Sequence, residues 1–194
     1  MKTLLSEIKS CNVCKTNLPL GAKPIISAHQ KSKIALVSQA PGIIAHRSGT
    51  AWNDPGGKRL KQWLHIDDHQ FYNPKNFAIV PIGFCYPGKG TGGDLPPRPE
   101  CAPLWHSTLF EKMKELQLII LIGQYAQKYY LKNSVKKTVT TTVQSYKEYL
   151  PLYFPIPHPS PRNRTWMSKN PWFEERVIPE LKNSVASILS EKNI

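Results

Sequence analysis

The order of apolar and polar positions predicts strands alternating with helices. In "KIALVSQAPG" (33–42) a β-favouring run, IALV, is stopped by Pro41-Gly42, the pattern of a short buried strand running into a turn. In "GKRLKQWLHI" (57–66), Leu60, Trp63 and Leu64 share one helical face with lysines opposite, so an amphipathic helix is expected. "NFAIVPIGF" (76–84) predicts a second strand, in which Pro81 is awkward. "PLWHSTLFEKMKEL" (103–116) reads as a helix, "QLIILIG" (117–123) as a third strand and "QYAQKYYL" (124–131) as the helix after it. "YLPLYFPIPHPSPRN" carries a short fourth strand into a proline-rich loop. "NPWFEERVIPELKNSVASIL" (170–189) predicts one more helix, with Asn170 as N-cap and Pro171 at the first helical position.

This alternation suits parallel neighbours. The expected fold class is α/β, a three-layer α/β/α sandwich with a central, mostly parallel sheet. Ligands of such sheets bind beyond the carboxyl ends of the strands. Three polar loops rich in Gly or Pro follow strands: "SQAPG", "CYPGKGTGGDLPPRPEC" and "HPSPRN". They are expected to gather at one rim. There is no internal repeat or low-complexity linker, and 194 residues suit a single domain spanning 1–194.

Composition sharpens this picture. Forty per cent of residues are apolar and a fifth are charged, as in a globular chain. Eighteen prolines imply stiff loops. The net charge of +13 favours a polyanionic partner, nucleic acid ahead of membrane, against the alternative of a charge kept for solubility. No apolar run reaches the roughly 18 residues that span a bilayer, and the N-terminus does not read as a signal peptide. A cytoplasmic monomer is expected. In that compartment cysteines serve as metal ligands or free thiols more often than as disulfides.

Cys11 and Cys14 form a C-x2-C pair, and Cys85 and Cys101 are separated by fifteen residues. A C-x2-C turn points two sulfurs at one centre. Four thiolates complete a 4Fe-4S cluster or, alternatively, a tetrahedral zinc site, and four unrelated thiols are the plainer reading. A metal or cluster here has a structural role, clamping the leading segment, residues 1–30, onto the core.

The segment "PIPHPSPRNRTW" (155–166) packs four prolines, one histidine and two arginines into twelve positions and reads as a rigid loop. With "SQAPG" and the four cysteines in this order and spacing, "HPSPRN" resembles the uracil-DNA glycosylase superfamily. The cysteine pattern is similar to its iron–sulfur branch, family 4, and the whole to a bacterial subgroup of glycosylase-like proteins. The resemblance covers roughly residues 8–190. It implies hydrolysis of an N-glycosidic bond in DNA, on uracil or another deaminated or damaged base.

The resemblance also assigns roles. His158 would donate a hydrogen bond to the base as negative charge develops there. Ser160 would compress the DNA backbone, and Arg162, Asn163 and Arg164 would contact phosphate or fill the helix where the base left. Gln39 and Ala40 would present backbone amides near the scissile bond. Trp52 would stack on the base, and Asn53 and Pro81 would line its pocket. Each has a plainer reading: a surface histidine, solvated arginines, a core tryptophan.

Two positions depart from the family pattern. Ala40 stands where the best-known branch has the aspartate that activates water; His46, Asn53 and Asp54 are the nearby substitutes. Pro81 stands where an asparagine reads the uracil edge, and proline offers no side-chain hydrogen bond. The alternative function is therefore a catalytically weak or inactive nucleic-acid-binding protein on the same fold.

Overall fold

The computed structural model describes residues 1–190. Along the chain the elements are α1 (Lys2–Lys9), β1 (Ile34–Val37), α2 (Ile43–Ser48), α3 (Pro55–Leu64), α4 (Asp68–Tyr72) and β2 (Phe77–Ile79). There follow a short hairpin of β3 (Lys89–Gly90) and β4 (Gly93–Asp94), then α5 (Cys101–Glu111), β5 (Leu118–Ile122) and α6 (Gln124–Leu131). The chain continues through α7 (Val139–Gln144), β6 (Tyr153–Ile156), α8 (Arg164–Lys169) and α9 (Ile178–Ser190).

Four strands form a parallel sheet in the order β2-β1-β5-β6. Successive strand residues point to opposite faces, and the core divides accordingly. Ile34, Leu36, Phe77, Ile79, Leu118, Ile120 and Ile122 pack with Leu60, Trp63 and Leu64 of α3 and Leu181 and Val185 of α9. Ala35, Val37, Ala78, Ile119 and Leu121 pack on the other face with Leu4 and Ile8 of α1, Leu109 of α5 and Ala126 of α6. Helices thus flank a parallel sheet, the α/β architecture expected from the pattern.

The differences from expectation trace to proline and to caps. "PIPHPSPRNRTW" is not all loop: Pro155 and Ile156 end β6. Since β6 is an edge strand, a residue without an N–H is tolerated there. β2 stops at Ile79, before Pro81. The helix expected at 103–116 runs instead over Cys101–Glu111. The helix expected at 170–189 starts with a π-helical turn, Phe173–Val177, before α9. Pro179 lacks an N–H and its ring crowds the carbonyl one turn back, so that turn widens. Asn170 does not cap it with its side chain: its Oδ1 accepts from the Trp172 indole at 3.0 Å.

The leading segment is tied down by ordinary packing. The Ser27 and Ile79 backbones exchange two hydrogen bonds, of 3.1 and 2.7 Å, on the outer edge of β2, and Ile25 N–H donates to the Phe84 carbonyl at 2.8 Å. Cys14, Leu18 and Cys85 form a small apolar cluster there.

Candidate functional site

The carboxyl ends of the sheet open into one cavity of about 650 Å³, the size of a small-ligand pocket. All three loops expected at the rim contribute: residues 38–42 after β1, residues 92–94 of the hairpin region, and His158 with residues 160–163 after β6. Pro81, Trp52, Asp54, the starts of α2 and α3 and the start of α6 (Gln124 and Tyr125) also line it.

His158 is held through its Nδ1, its carbonyl and its loop. The Ser160 N–H donates to its Nδ1 at 3.2 Å, and Asn163 Nδ2 donates to its carbonyl at 2.7 Å. Arg59 of α3 reaches across to the Pro159 and Ser160 carbonyls at 3.4 and 3.3 Å. Behind the ring lies Gly123, where an added Cβ would sit 3.6 Å from the His158 Cβ; its φ of +79° is one that glycine adopts without strain. Because Nδ1 accepts, the neutral ring carries its proton on Nε2. Burial lowers the pKa of His158 below the usual value, against a smaller upward pull from the charge of Asp54. The imidazole is therefore a neutral donor, oriented by backbone.

Trp52 stands beside it, with ring centroids 5.6 Å apart and planes tilted by 32°. The indole also belongs to the core that contains Leu60 and Trp63, so it is both core residue and cavity wall. Gln39 donates from Nε2 to the Leu95 carbonyl at 3.4 Å, and Ala40 lines the cavity beside it. Pro81 is buried in the wall. Its carbonyl accepts from His106 Nε2 at 3.1 Å, and the His106 Nδ1 pairs with the Tyr130 hydroxyl at 2.5 Å. Burial pushes the His106 pKa down to about 4, so this relay is neutral and holds the wall in place.

Other expected residues lie elsewhere or are engaged locally. Asn53 is exposed and lines a neighbouring groove that shares Trp52, Asp54 and Pro55 with the His158 cavity. Asp54 lines both, but its Oδ1 accepts from Gly57 N–H at 2.7 Å as the N-cap of α3. His46 is buried against Tyr86, away from the cavity. Arg162 lines the cavity, whereas Arg164 opens α8 outside it. The Ser160 hydroxyl accepts from Arg162 N–H at 3.3 Å. The neighbouring groove, about 860 Å³, sets three aspartates against two lysines and lacks His158. It suits a polyanion less well.

Sequence reasoning missed Arg59, Asp94, Gln124 and Tyr125. Arg59 follows from no pattern, since a lysine-rich helical face reads as solvated. Asp94 had a signal: it is the one acid between Tyr86 and Pro99.

The four cysteines form no disulfide. Burial pushes the Cys85 thiol up to about 11 and the Cys101 thiol up to about 12, and the other cysteines add to both shifts. Cys14 is raised by burial and by Glu100, against Arg98. Among the described residues, no group of three or more His, Cys, Asp or Glu side chains is placed to hold a metal ion. Nor, among them, is any helix long and apolar enough to cross a membrane.

A parallel α/β sheet thus opens at its carboxyl edge on a cavity walled by a neutral histidine donor and an aromatic ring. The family model of the Uracil DNA glycosylase superfamily matches residues 26–182, and the chain belongs to that superfamily. The match begins after Cys11 and Cys14, so it carries no information about the first cysteine pair.

Proposed function

We propose that this protein is a DNA glycosylase that hydrolyses the N-glycosidic bond of uracil or of another deaminated or damaged base. The observation that carries the reading is the held, neutral His158 in a cavity roomy enough to admit a nucleobase, on a glycosylase-superfamily fold. The target base must leave the stack to reach the cavity. Trp52 offers it an aromatic face, worth about 1 to 3 kcal/mol of stacking. His158 donates from Nε2 to the base carbonyl as the base departs with the bonding electron pair. A preoriented donor acts on charge that develops only in the transition state, which is where binding energy accelerates a reaction. Arg162 and Arg164 contact flanking phosphates.

The four cysteines are proposed to hold a 4Fe-4S cluster with a structural role, fixing residues 1–30 and the two ends of the 85–101 segment. One observation supports this: the thiols lie near enough for the others to raise the pKa of Cys85 and of Cys101. Among the described residues no three of them form a group placed to hold a metal ion, which counts equally against a cluster and against zinc.

Pro81 favours a second reading, a nucleic-acid-binding protein without catalysis. Its side chain cannot read a base edge, and its carbonyl is held by His106. One experiment separates the two. Oligonucleotides containing uracil, hypoxanthine and a panel of other altered bases are incubated with the protein, single- and double-stranded. The glycosylase reading expects free base and an abasic site from at least one substrate. His158→Ala is then expected to lower release by on the order of 100- to 1,000-fold with binding retained. Salt-sensitive binding with no release from any substrate would support the second reading.

A further inference from the structure

We infer that Asp94 is the general base of this site, the carboxylate that accepts a proton from the water attacking the sugar. The inference rests on the glycosylase reading above. Two carboxylates line the cavity, Asp54 and Asp94. Asp54 is engaged as the helix cap of α3, holding Gly57 N–H at 2.7 Å. Asp94 carries no such duty and ends β4, at the mouth of the cavity.

The placement answers the absence of a carboxylate at Ala40. Asp94 Oδ2 lies against Gly42, 3.4 Å from where a Cβ on that residue would be. A carboxylate is thus delivered to the loop after β1, two residues past Ala40, from a different segment of the chain. The hairpin that carries it is held from both sides. Gln39 Nε2 donates to the Leu95 carbonyl and Arg162 Nη1 to the Gly92 carbonyl, each at 3.4 Å. Leu95 N–H donates to the Gly88 carbonyl at 2.9 Å and closes the hairpin. The same two loops that present Gln39 and His158 therefore position Asp94.

The electrostatics agree with the geometry. Asp94 is exposed at the cavity mouth, and the partial loss of water around its carboxyl raises its pKa above that of an ordinary aspartate, while Arg162 and Lys89 oppose the shift. Tyr86 is the remaining titratable group that Asp94 influences. A carboxylate more basic than usual, kept ionised by two cations, suits proton abstraction from water.

The step balances. The C1′–N bond breaks, and its electron pair leaves on the base, where His158 Nε2–H stabilises it. The water oxygen bonds to C1′, its proton passes to Asp94 and then to solvent, and the departed base takes a proton from solvent. The products are the free base and an abasic sugar.

The test compares wild type, Asp94→Asn and Asp94→Glu on the best substrate of the panel, in single-turnover release and in binding to the abasic product. Asp94→Asn is expected to lose on the order of 100- to 10,000-fold in release with product binding unchanged, and Asp94→Glu to recover part of it. The acid limb of the wild-type pH profile should involve one more proton than that of Asp94→Asn, because the other ionisation belongs to His158. A structural role for the hairpin would not change the proton count. Release by Asp94→Asn within about threefold of wild type, or an unchanged proton count, overturns the assignment and leaves the glycosylase reading standing. Wild-type protein that releases nothing from the panel overturns both.

Discussion

Trp52 has a φ of +59°, a backbone conformation that a tryptophan rarely adopts. The turn that forces it places the Trp52 carbonyl where a Cβ on residue 57 would be. Gly57 is therefore fixed by the Trp52 backbone, and through it the aromatic wall of the cavity depends on a glycine in the first turn of α3. Gly57→Ala is expected to cost about 1 to 3 kcal/mol, read as a shift of the chemical-denaturation midpoint, and to weaken binding of DNA carrying a flippable base. His158 gives the second expectation at this scale. Its folded pKa lies below the unfolded value of 6.5. The neutral ring is therefore retained at neutral pH, and the stability linked to it is full above about 6.5. That stability is lost as the pH falls through the folded value, since protonating Nδ1 breaks the Ser160 hydrogen bond. Base release should follow the same acid limb, and His158→Asn should remove that ionisation from both profiles.

Helix α3 shows how one element serves core and site together. Its buried face contributes Leu60, Trp63 and Leu64, its cap is Asp54, and its outer face sends Arg59 to the loop that carries His158. The two Arg59 bonds are long, so Arg59→Ala should cost no more than about 1 kcal/mol of stability. It should still lower kcat several-fold with KM little changed, because the loop carbonyls lose their brace while substrate contacts remain. Single-turnover release against titrated binding separates the two effects. The amphipathic pattern of α3 was legible because burial follows a 3.6-residue period. The four short strands of the sheet were legible for a different reason, as brief apolar runs bounded by turn residues. The β3–β4 hairpin was not: two-residue strands made of Lys89-Gly90 and Gly93-Asp94 have no period to read. Asp94 was overlooked with it, and Arg59 was overlooked because its partners lie about 100 residues further along the chain.

At the scale of the molecule, the parallel sheet decides which distant segments meet. Residues 38–42, 92–94, 124–125, His158 and 160–163 share one cavity because β1, β2, β5 and β6 all point their carboxyl ends at it. The rule for open α/β sheets made that meeting legible from the order of elements alone; the side chains doing the bracing depended on loop geometry that the order does not encode. Charge acts at the same scale. Twenty-six lysines and arginines against thirteen acids leave a net +13, so association with DNA should be dominated by release of counterions from the phosphates. Each phosphate neutralised contributes about 0.9 to the slope of log affinity against log salt. A footprint of about six phosphates then weakens binding roughly 1,000-fold between 50 and 200 mM salt. Arg162 lies on the cavity and Arg164 just outside it, at the start of α8. If both meet phosphate as proposed, Arg162→Ala and Arg164→Ala should each lower the slope by about 1, and the double variant by about twice that. Fluorescence anisotropy of a labelled oligonucleotide across that salt range measures all four slopes. An unchanged slope for either single variant removes that arginine from the phosphate contacts.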